Sequence, residues 1–390
     1  MHALENIKVA DFTTMINGPY ATMLLSDMGA DVIKIEPLYG DSWRAVGGGF
    51  LACNRGKRAI SIDLKKTEAK QIAYDLIAVS DMVVENARYG VWKKLGLDYE
   101  SVKKIKPDLI YISILAHGSK GPFNQSPGFD PVLQAKSGQM VGQGGIGKPP
   151  LYHVIALNDQ AAPMLGAFGA VLALLARVRK GKGQQVETSL THASVALQSG
   201  EFIDYDGIER ICLGDTDLRG LNAVKRHYQA LDGRWIFIFC SDEKSTLKLF
   251  KAIGKESLSD DLRFASGEKR IENDAALVNI LQDVFITRAA GEWVNFLEKE
   301  KIPVALAQSA DDVLKDVHCE ENKLFIDQED QIFGMARLLG VGPKFSGMSG
   351  IIRRPAPMLG QHTRQVLGEL GYSKEKIDDL LNNKVIYSPE

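Results

Sequence analysis

Asp159 is the acid that invites a chemical reading. It lies in the segment Ile155-Ala156-Leu157-Asn158-Asp159-Gln160-Ala161-Ala162-Pro163, directly ahead of the longest apolar run in the chain. A carboxylate at a helix start can accept backbone amide hydrogen bonds, and such a cap by itself accounts for an Asp there. The same place suits a nucleophile, because the positive end of a helix favours the ionised carboxylate. Local sequence leaves both readings open, the cap being the plainer. Basic residues gather at Arg55, Lys57, Arg58, Lys65 and Lys66, beside Asn54 and Gly56. They form either a solvated turn or a docking site for an anionic cofactor.

Other chemistries find less support. The seven histidines show no HxxxH or HxH spacing, so no zinc site is expected. His117 and His153 flank a long loop and are candidate bases, although a lone histidine is more often structural. No GxSxG elbow occurs. Cys53, Cys212, Cys240 and Cys319 are scattered without a CxxC, against a disulfide framework and in keeping with a reducing compartment. Gly142-Gln143-Gly144-Gly145-Ile146-Gly147-Lys148 matches both GxGxxG and GxxxxGK. Pro149-Pro150 follows at once, which blocks helix entry and removes the P-loop hydroxyl, leaving a mobile glycine-rich loop as the reading.

The elements that must position these residues alternate. Strand-like runs at Ile7–Phe12, Ala30–Ile35, Ala59–Ile62, Met82–Val84 and Leu109–Ile114 are interleaved with helices at Tyr20–Met28 and Lys70–Val79. That alternation predicts a doubly wound parallel α/β sheet, whose ligands bind beyond the carboxyl ends of the strands. Gly118 to Pro150 reads as a long loop with little periodicity. Ala161–Val178 reads as a buried helix, shorter than a membrane span, with Gly166, Gly169 and Ala170 suited to close packing. A second α/β unit begins with the strand Arg234–Cys240. Its helices are Glu243–Ile253, Ala275–Thr287 and Ala290–Lys299, and Pro303–Ala307 is a short strand. Helices Gln365–Leu370 and Lys374–Leu381 close the chain.

At 390 residues the chain exceeds one ordinary core, and 47 basic against 49 acidic residues give a net charge of −2. No polybasic nucleic-acid surface is expected, while a local pocket for a phosphorylated small molecule stays open. The start MHALENIKVADF has no basic n-region or apolar h-region. A soluble, cytoplasmic protein is expected, without membrane association.

Long ordered strings resemble the class III coenzyme A transferases, with formyl-CoA transferase, carnitine CoA-transferase and α-methylacyl-CoA racemase among them. They are VADFTTMINGPYATMLLSDMGADVIKIEP at 9–37, GD with Arg44, NRGKRAISIDLK at 54–65, DMVVENARYG at 81–90 and KLGLDYESV at 94–102. PDLIYISI at 107–114, GSKGP at 118–122, FDPVLQAKSGQM at 129–140, the Asp159 segment and GKGQQVETSL at 181–190 continue the order. ALDGRWIFI, IPVALAQ and APMLGQHTRQVLGELGYS carry it nearly to the end.

The resemblance implies a ring-shaped subunit in an interlocked homodimer. A Rossmann-like large CoA-binding domain would span 1–212 and 325–390, with a smaller α/β domain at 213–324. It makes Asp159 the nucleophile of an acyl-CoA:carboxylate CoA-transferase that works through aspartyl anhydride and aspartyl-CoA thioester intermediates. CoA or acyl-CoA is then a substrate, with no tightly bound cofactor, and a carboxylic acid is the other partner. Family CoA contacts fall on Ile16 and Asn17, on Asp63, Leu64 and Lys65, on Asn86, Ala87 and Arg88, on Lys94, and on Gly128 and Phe129. Ile16 stands where the formyl enzyme has Gln, Pro37 where it has Arg, and Ala87-Arg88-Tyr89 replaces Phe-Arg-Pro. Arg88, Lys94 and the Arg55–Arg58 cluster are therefore the expected phosphate contacts.

The racemases place a His before the Asp that Asp130 matches. Phe129 stands here and cannot exchange a proton, which favours transfer over racemisation. The formyl enzyme's glycine run has no equivalent in Leu213–Asn222, and Gly142–Gly147 is a candidate substitute lid. Tyr20, Tyr152, His153 and Met140 are candidate acyl-pocket residues. A CoA-binding subunit that acts only with a paralogue is the remaining alternative.

Overall fold

A computed structural model describes every residue except Met1, Ile146, Glu209–Leu213, Asp215, Thr216 and Glu390. Cys212 and the boundary expected between 212 and 213 lie outside the described residues. The chain divides into two compact units, one of residues 1–139, 152–208 and 320–390, the other of residues 140–151 and 209–319.

In chain order the strands are β1 (Lys8–Asp11), β2 (Asp31–Glu36), β3 (Arg58–Ile62), β4 (Met82–Glu85), β5 (Ile110–Leu115), β6 (Gln184–Ser189), β7 (Gly220–Asn222), β8 (Lys225–Gln229), β9 (Trp235–Phe239), β10 (Val304–Leu306), β11 (Phe325–Asp330), β12 (Gly334–Leu339) and β13 (Ile386–Tyr387). The longer helices are α1 (Asn17–Asp27), α2 (Thr67–Ala78), α3 (Asp130–Lys136), α4 (Leu157–Lys180), α5 (Leu190–Leu197), α6 (Glu243–Ala252), α7 (Asp274–Phe285), α8 (Ala290–Lys299), α9 (Thr363–Glu369) and α10 (Lys374–Asn382).

The first unit is built on a sheet of order β13-β3-β2-β1-β4-β5-β6, parallel throughout except for the antiparallel edge strand β13. The fully buried sequences RAISI and IYISIL of β3 and β5 explain the parallel arrangement, since both faces must be covered. Phe12, Ile35, Ile60 and Val83 pack on one face with Ile72 and Leu76 of α2 and Val366 and Leu367 of α9. Val9, Val84, Ile112 and Ile114 pack on the other with Leu25 of α1 and Ala162, Ala170 and Ala173 of α4. Winding proceeds outward from β1 to β3, then restarts at β4 on the opposite side. The switch point therefore lies between β1 and β4, and the crevice at their carboxyl ends is the natural ligand site.

Two expectations are corrected. Helix α4 is buried on one side only. A Cβ at Gly166 would meet Ile114 at 2.8 Å and one at Gly169 would meet Val186 at 2.8 Å, so the small residues do seat this helix on the sheet. On its other side Phe168 is 64% and Val178 81% exposed, with Leu172 and Leu175 also open. By length and apolar composition alone α4 would also suffice to cross a membrane. The segment 118–150 is not structureless either, because Asp130-Pro131 opens α3. Pro at the first helical turn needs no amide partner, a start signal that apolar periodicity does not carry.

In the second unit the antiparallel sheet β10-β9-β8-β7 carries α6, α7 and α8, with Tyr228, Ile236, Phe250, Phe285 and Trp293 in its core. The glycine string belongs here. Gly142 to Gly144 are helical, and a Cβ at Gly144 would lie 2.1 Å from the Pro149 carbonyl oxygen. Close backbone packing thus accounts for Gly144, against the open mobile loop expected.

Candidate active site at the carboxyl edge of the parallel sheet

The β1–α1 turn is built on buried ions. Asp11, at the end of β1, accepts from the Thr13 amide at 2.9 Å, the Thr22 hydroxyl at 2.7 Å and Lys57 Nζ at 3.0 Å. Lys57 Nζ also donates to the Pro19 carbonyl and Asn54 Oδ1, while Lys34 Nζ donates to the Thr13 carbonyl and pairs with Asp41 at 3.0 Å. Burial pushes the Asp11 carboxyl up, but the Lys57 and Lys34 ammoniums and two hydroxyls more than reverse this and hold it below its usual value. Such a satisfied network fixes one backbone geometry for residues 13–19.

Across the switch point, Asn86 braces the same turn. Its Oδ1 accepts the Thr14 amide at 2.9 Å, and its Nδ2 donates to the Thr14 carbonyl at 2.8 Å and to Asn17 Oδ1 at 2.5 Å. The structure thus brings together Asn17 and Asn86, with Ile16 one residue before α1 and Ala87 donating its amide to Glu85 at 2.9 Å. Asp63, Leu64 and Lys65 lie at the end of β3, two strands from β1 in the sheet, where Asp63 Oδ1 accepts the Lys65 amide at 3.1 Å. Arg88 is exposed and has no ion pair among the described residues, as is true of Lys94 in the short helix Val91–Leu95. Both line a cavity of about 580 Å³ with Glu85, Trp92, Tyr111 and Glu187. Gly128 and Phe129 lead into α3, and Phe129 is 61% exposed.

Asp159 sits in the first turn of α4, but the capping is done elsewhere. Asp130 Oδ2 accepts the amides of Asn158 at 2.7 Å and Asp159 at 3.1 Å, reaching over from the start of α3. Among the described residues the Asp159 carboxylate accepts no hydrogen bond. Burial, then the negative charge of Asp130, pushes its pKa up to about 7. The charge of Asp159 is felt at the buried thiol of Cys53, which packs with Tyr20, Met23 and Ile16. His153 is held by Gln134 through both backbone groups, and its ring contacts the Ile155 carbonyl at 3.2 Å. Tyr152 is exposed, His117 stacks beside Phe123 at 6.0 Å, and Met140 belongs to the other unit.

The basic cluster expected at Arg55–Lys66 is largely internal, which corrects its reading as a docking edge. Arg55 pairs with Asp27 at 2.7 Å and donates to the Leu339 carbonyl. Lys57 is sequestered as above, and Arg58 pairs with Asp31 at 2.6 Å and Glu369 at 2.7 Å. Lys66 donates to the Asn383 carbonyl, so of the five Lys65 alone stands exposed with no partner for its ammonium among the described residues. Sequence neighbourhood could not show this, because every partner acid lies 27 or more positions away.

Two acids take roles that the sequence did not signal. Asp130 had no local signal as a cap, since the helix it caps begins 27 residues later. Glu85, at the end of β4, is buried and its carboxyl is pushed up to about 7, although the Ser113 hydroxyl and Ala87 amide bond it. No group of three or more metal-ligating side chains occurs among the described residues. The arrangement offers a basic carboxylate at a helix start that accepts no hydrogen bond among the described residues, and, on the same unit, exposed cations at Lys65, Arg88 and Lys94. That combination suits covalent catalysis on an anionic substrate.

A family model described as CoA-transferase family III matches residues 4–363. Succinyl-CoA:glutarate CoA-transferase of Mus musculus is 31% identical over 401 residues, covering 100% of this chain and 92% of that one. The beta subunit of succinyl-CoA–L-malate CoA-transferase of Chloroflexus aurantiacus is 31% identical over 399 residues, covering 98% of each. A crystal structure of a CAIB/BAIF family protein from Brucella suis superposes with a TM-score of 0.86 at 28% identity, over 95% of this chain and 99% of that chain.

Proposed function

Since the chain belongs to CoA-transferase family III and is a CoA-transferase, we propose that it moves CoA from succinyl-CoA to a small carboxylic acid with Asp159 as the nucleophile. An Asp159 carboxylate oxygen attacks the thioester carbonyl, and the C–S bond breaks to give a mixed anhydride and CoA thiolate. The thiolate attacks the aspartyl carbonyl, releasing the donor carboxylate and leaving an aspartyl-CoA thioester. The acceptor carboxylate displaces the thiolate again, and the thiolate takes the acceptor acyl group, which frees Asp159. No redox partner and no net proton are needed.

One observation carries this reading: at the start of α4 the Asp159 carboxylate accepts no hydrogen bond among the described residues, and burial beside Asp130 pushes its pKa up to about 7. A carboxylate so basic is a better nucleophile than a solvated one, and half of it is ionised at neutral pH. We place CoA along the edge formed by Ile16, Asn17, Asp63–Lys65, Asn86–Arg88, Lys94, Gly128 and Phe129. The relatives' names supply succinyl-CoA as donor and dicarboxylic acids as acceptors. Phe129, without a proton to exchange, speaks against racemisation.

The interlocked homodimer belongs to the same proposal. Its support is the uncovered apolar side of α4 with Phe168, Leu172, Leu175 and Val178, which a partner chain would bury. The name of the Chloroflexus relative makes a paralogous partner the alternative outcome. Size determination of the purified chain separates the two. For the chemistry, incubation with succinyl-CoA followed by mass spectrometry of the peptides is decisive. The proposal expects a CoA adduct on Asp159 that is absent in Asp159→Ala; an adduct elsewhere, or deuterium exchange at the acyl α-carbon without any adduct, refutes it.

A further inference from the structure

Nothing in Asp159's own side chain explains why it stands where it does. Asp130 is 2% exposed and Gln134 1%, one turn apart on α3. Gln134 Nε2 donates to Asp130 Oδ1 and also to the His153 carbonyl at 3.0 Å, while Gln134 Oε1 accepts the His153 amide at 3.1 Å. Asp130 Oδ2 takes the two amides at 158 and 159. One buried Asp–Gln pair therefore grips the chain at both ends of residues 153–159. A helix start is normally capped by the side chain just before the first turn, but Ala156 stands at that position and has none to offer.

We propose that Asp130 and Gln134 form a positioning clamp for the nucleophile. Asp130 caps the helix that carries Asp159, and Gln134 pins the turn leading into it. Capping from outside leaves the Asp159 carboxylate with no amide hydrogen bond to break before it attacks. The clamp also sets a negative charge beside the nucleophile, which keeps it basic. Asp130 is the charged group that acts on Asp159, and among the described residues the Cys53 thiol, which burial pushes up to about 11 and so keeps neutral at working pH, also interacts with it.

This inference rests on Asp159 being the nucleophile, and the test separates the two. Asp130→Asn, Asp130→Ala, Gln134→Leu and Asp159→Asn are compared by kcat/KM against pH, by adduct formation and by thermal melting. Asp130→Asn keeps an oxygen for the amides but drops the charge. It should still form the Asp159 adduct, with its acid limb lowered by about half to one pH unit and its plateau reduced several-fold. Asp130→Ala should be at least about tenfold less active than Asp130→Asn, because the reacting atoms lose their placement. Gln134→Leu should lower kcat with its acid limb in place. An unmoved acid limb in Asp130→Asn, or full activity in Asp130→Ala, overturns the clamp. If Asp130→Ala fails to fold, the limb in Asp130→Asn decides. An active Asp159→Asn refutes the nucleophile itself, whatever the other variants do.

Discussion

Asp130 and Asp159 divide the work of one helix start. Asp130 accepts the Asp159 amide at 3.1 Å, so the cap and the free carboxylate are different residues on different helices. The local choice between cap and nucleophile is thereby dissolved: the capping requirement is real, but it is met from 29 positions away. The arrangement has a thermodynamic consequence. An acid kept from water, next to another acid and bonded to nothing, favours its protonated form and is costly to ionise.

The pH dependence of turnover follows directly. Attack needs the ionised form, and the Asp159 pKa lies near 7 in the free protein. We expect kcat/KM for acyl-CoA to rise about tenfold per pH unit well below 7 and to level off above about 8. A profile already flat from pH 5 would mean that the essential group is an ordinary carboxylate and not this one.

The same shift predicts a gain in stability on removing the nucleophile. The folded pKa of Asp159 is raised, from 3.8 to about 7. Between those values the folded state binds the proton that the unfolded state has released, so this group's contribution is complete below about pH 4 and is lost as pH rises through 7. Asp159→Asn should therefore melt higher than wild type at pH 8, by about 1–2 kcal/mol after allowing for solvent screening, and the gap should narrow towards pH 4. Melting curves across that range check the slope, and a gap that widens on acidification contradicts it.

Gly128 links substrate edge and clamp. A Cβ there would stand 2.5 Å from the Ala116 side chain and 3.1 Å from both His117 Nε2 and Leu133. Leu133 lies on α3, the helix that Asp130 opens two residues after Gly128, so relief of this crowding shifts the element that carries the clamp. Gly128→Ala should cost about 1–3 kcal/mol of stability and lower kcat more than KM. Chemical denaturation and steady-state kinetics measure the two effects separately.

Legibility differed between strands and ions. The parallel core was readable because buried strands such as IYISIL are apolar and β-branched, with turn residues at each end. The apolar stretch of α4 was equally plain, but hydropathy does not say which side meets the sheet, and Phe168 and Val178 proved to be on the open one. Charge clustering misled, because Arg55, Lys57 and Arg58 read as a surface when their acids, Asp27, Asp11 and Asp31, were far off in sequence. The Asp130–Asp159 relation is of the same long-range kind. Strand periodicity is local, whereas ion pairs and caps across elements exist only once the fold has brought them together.

That distinction between free and spent cations yields the final prediction. Beside the switch point Arg88 and Lys94 are exposed and have no ion pairs among the described residues, whereas Arg58 is 6% exposed and held by Asp31 and Glu369. Arg88→Ala and Lys94→Ala should each raise KM for acyl-CoA about three- to tenfold with little change in kcat, an effect of up to about 1.4 kcal/mol that shrinks as salt is added. Arg58→Ala should leave KM alone but destabilise the fold by about 1–3 kcal/mol, since Asp31 loses its partner at the opposite end of the strands. If Arg58→Ala instead raises KM at unchanged stability, CoA reaches the cluster at Arg55–Arg58 after all, and the edge drawn through Arg88 and Lys94 is wrong.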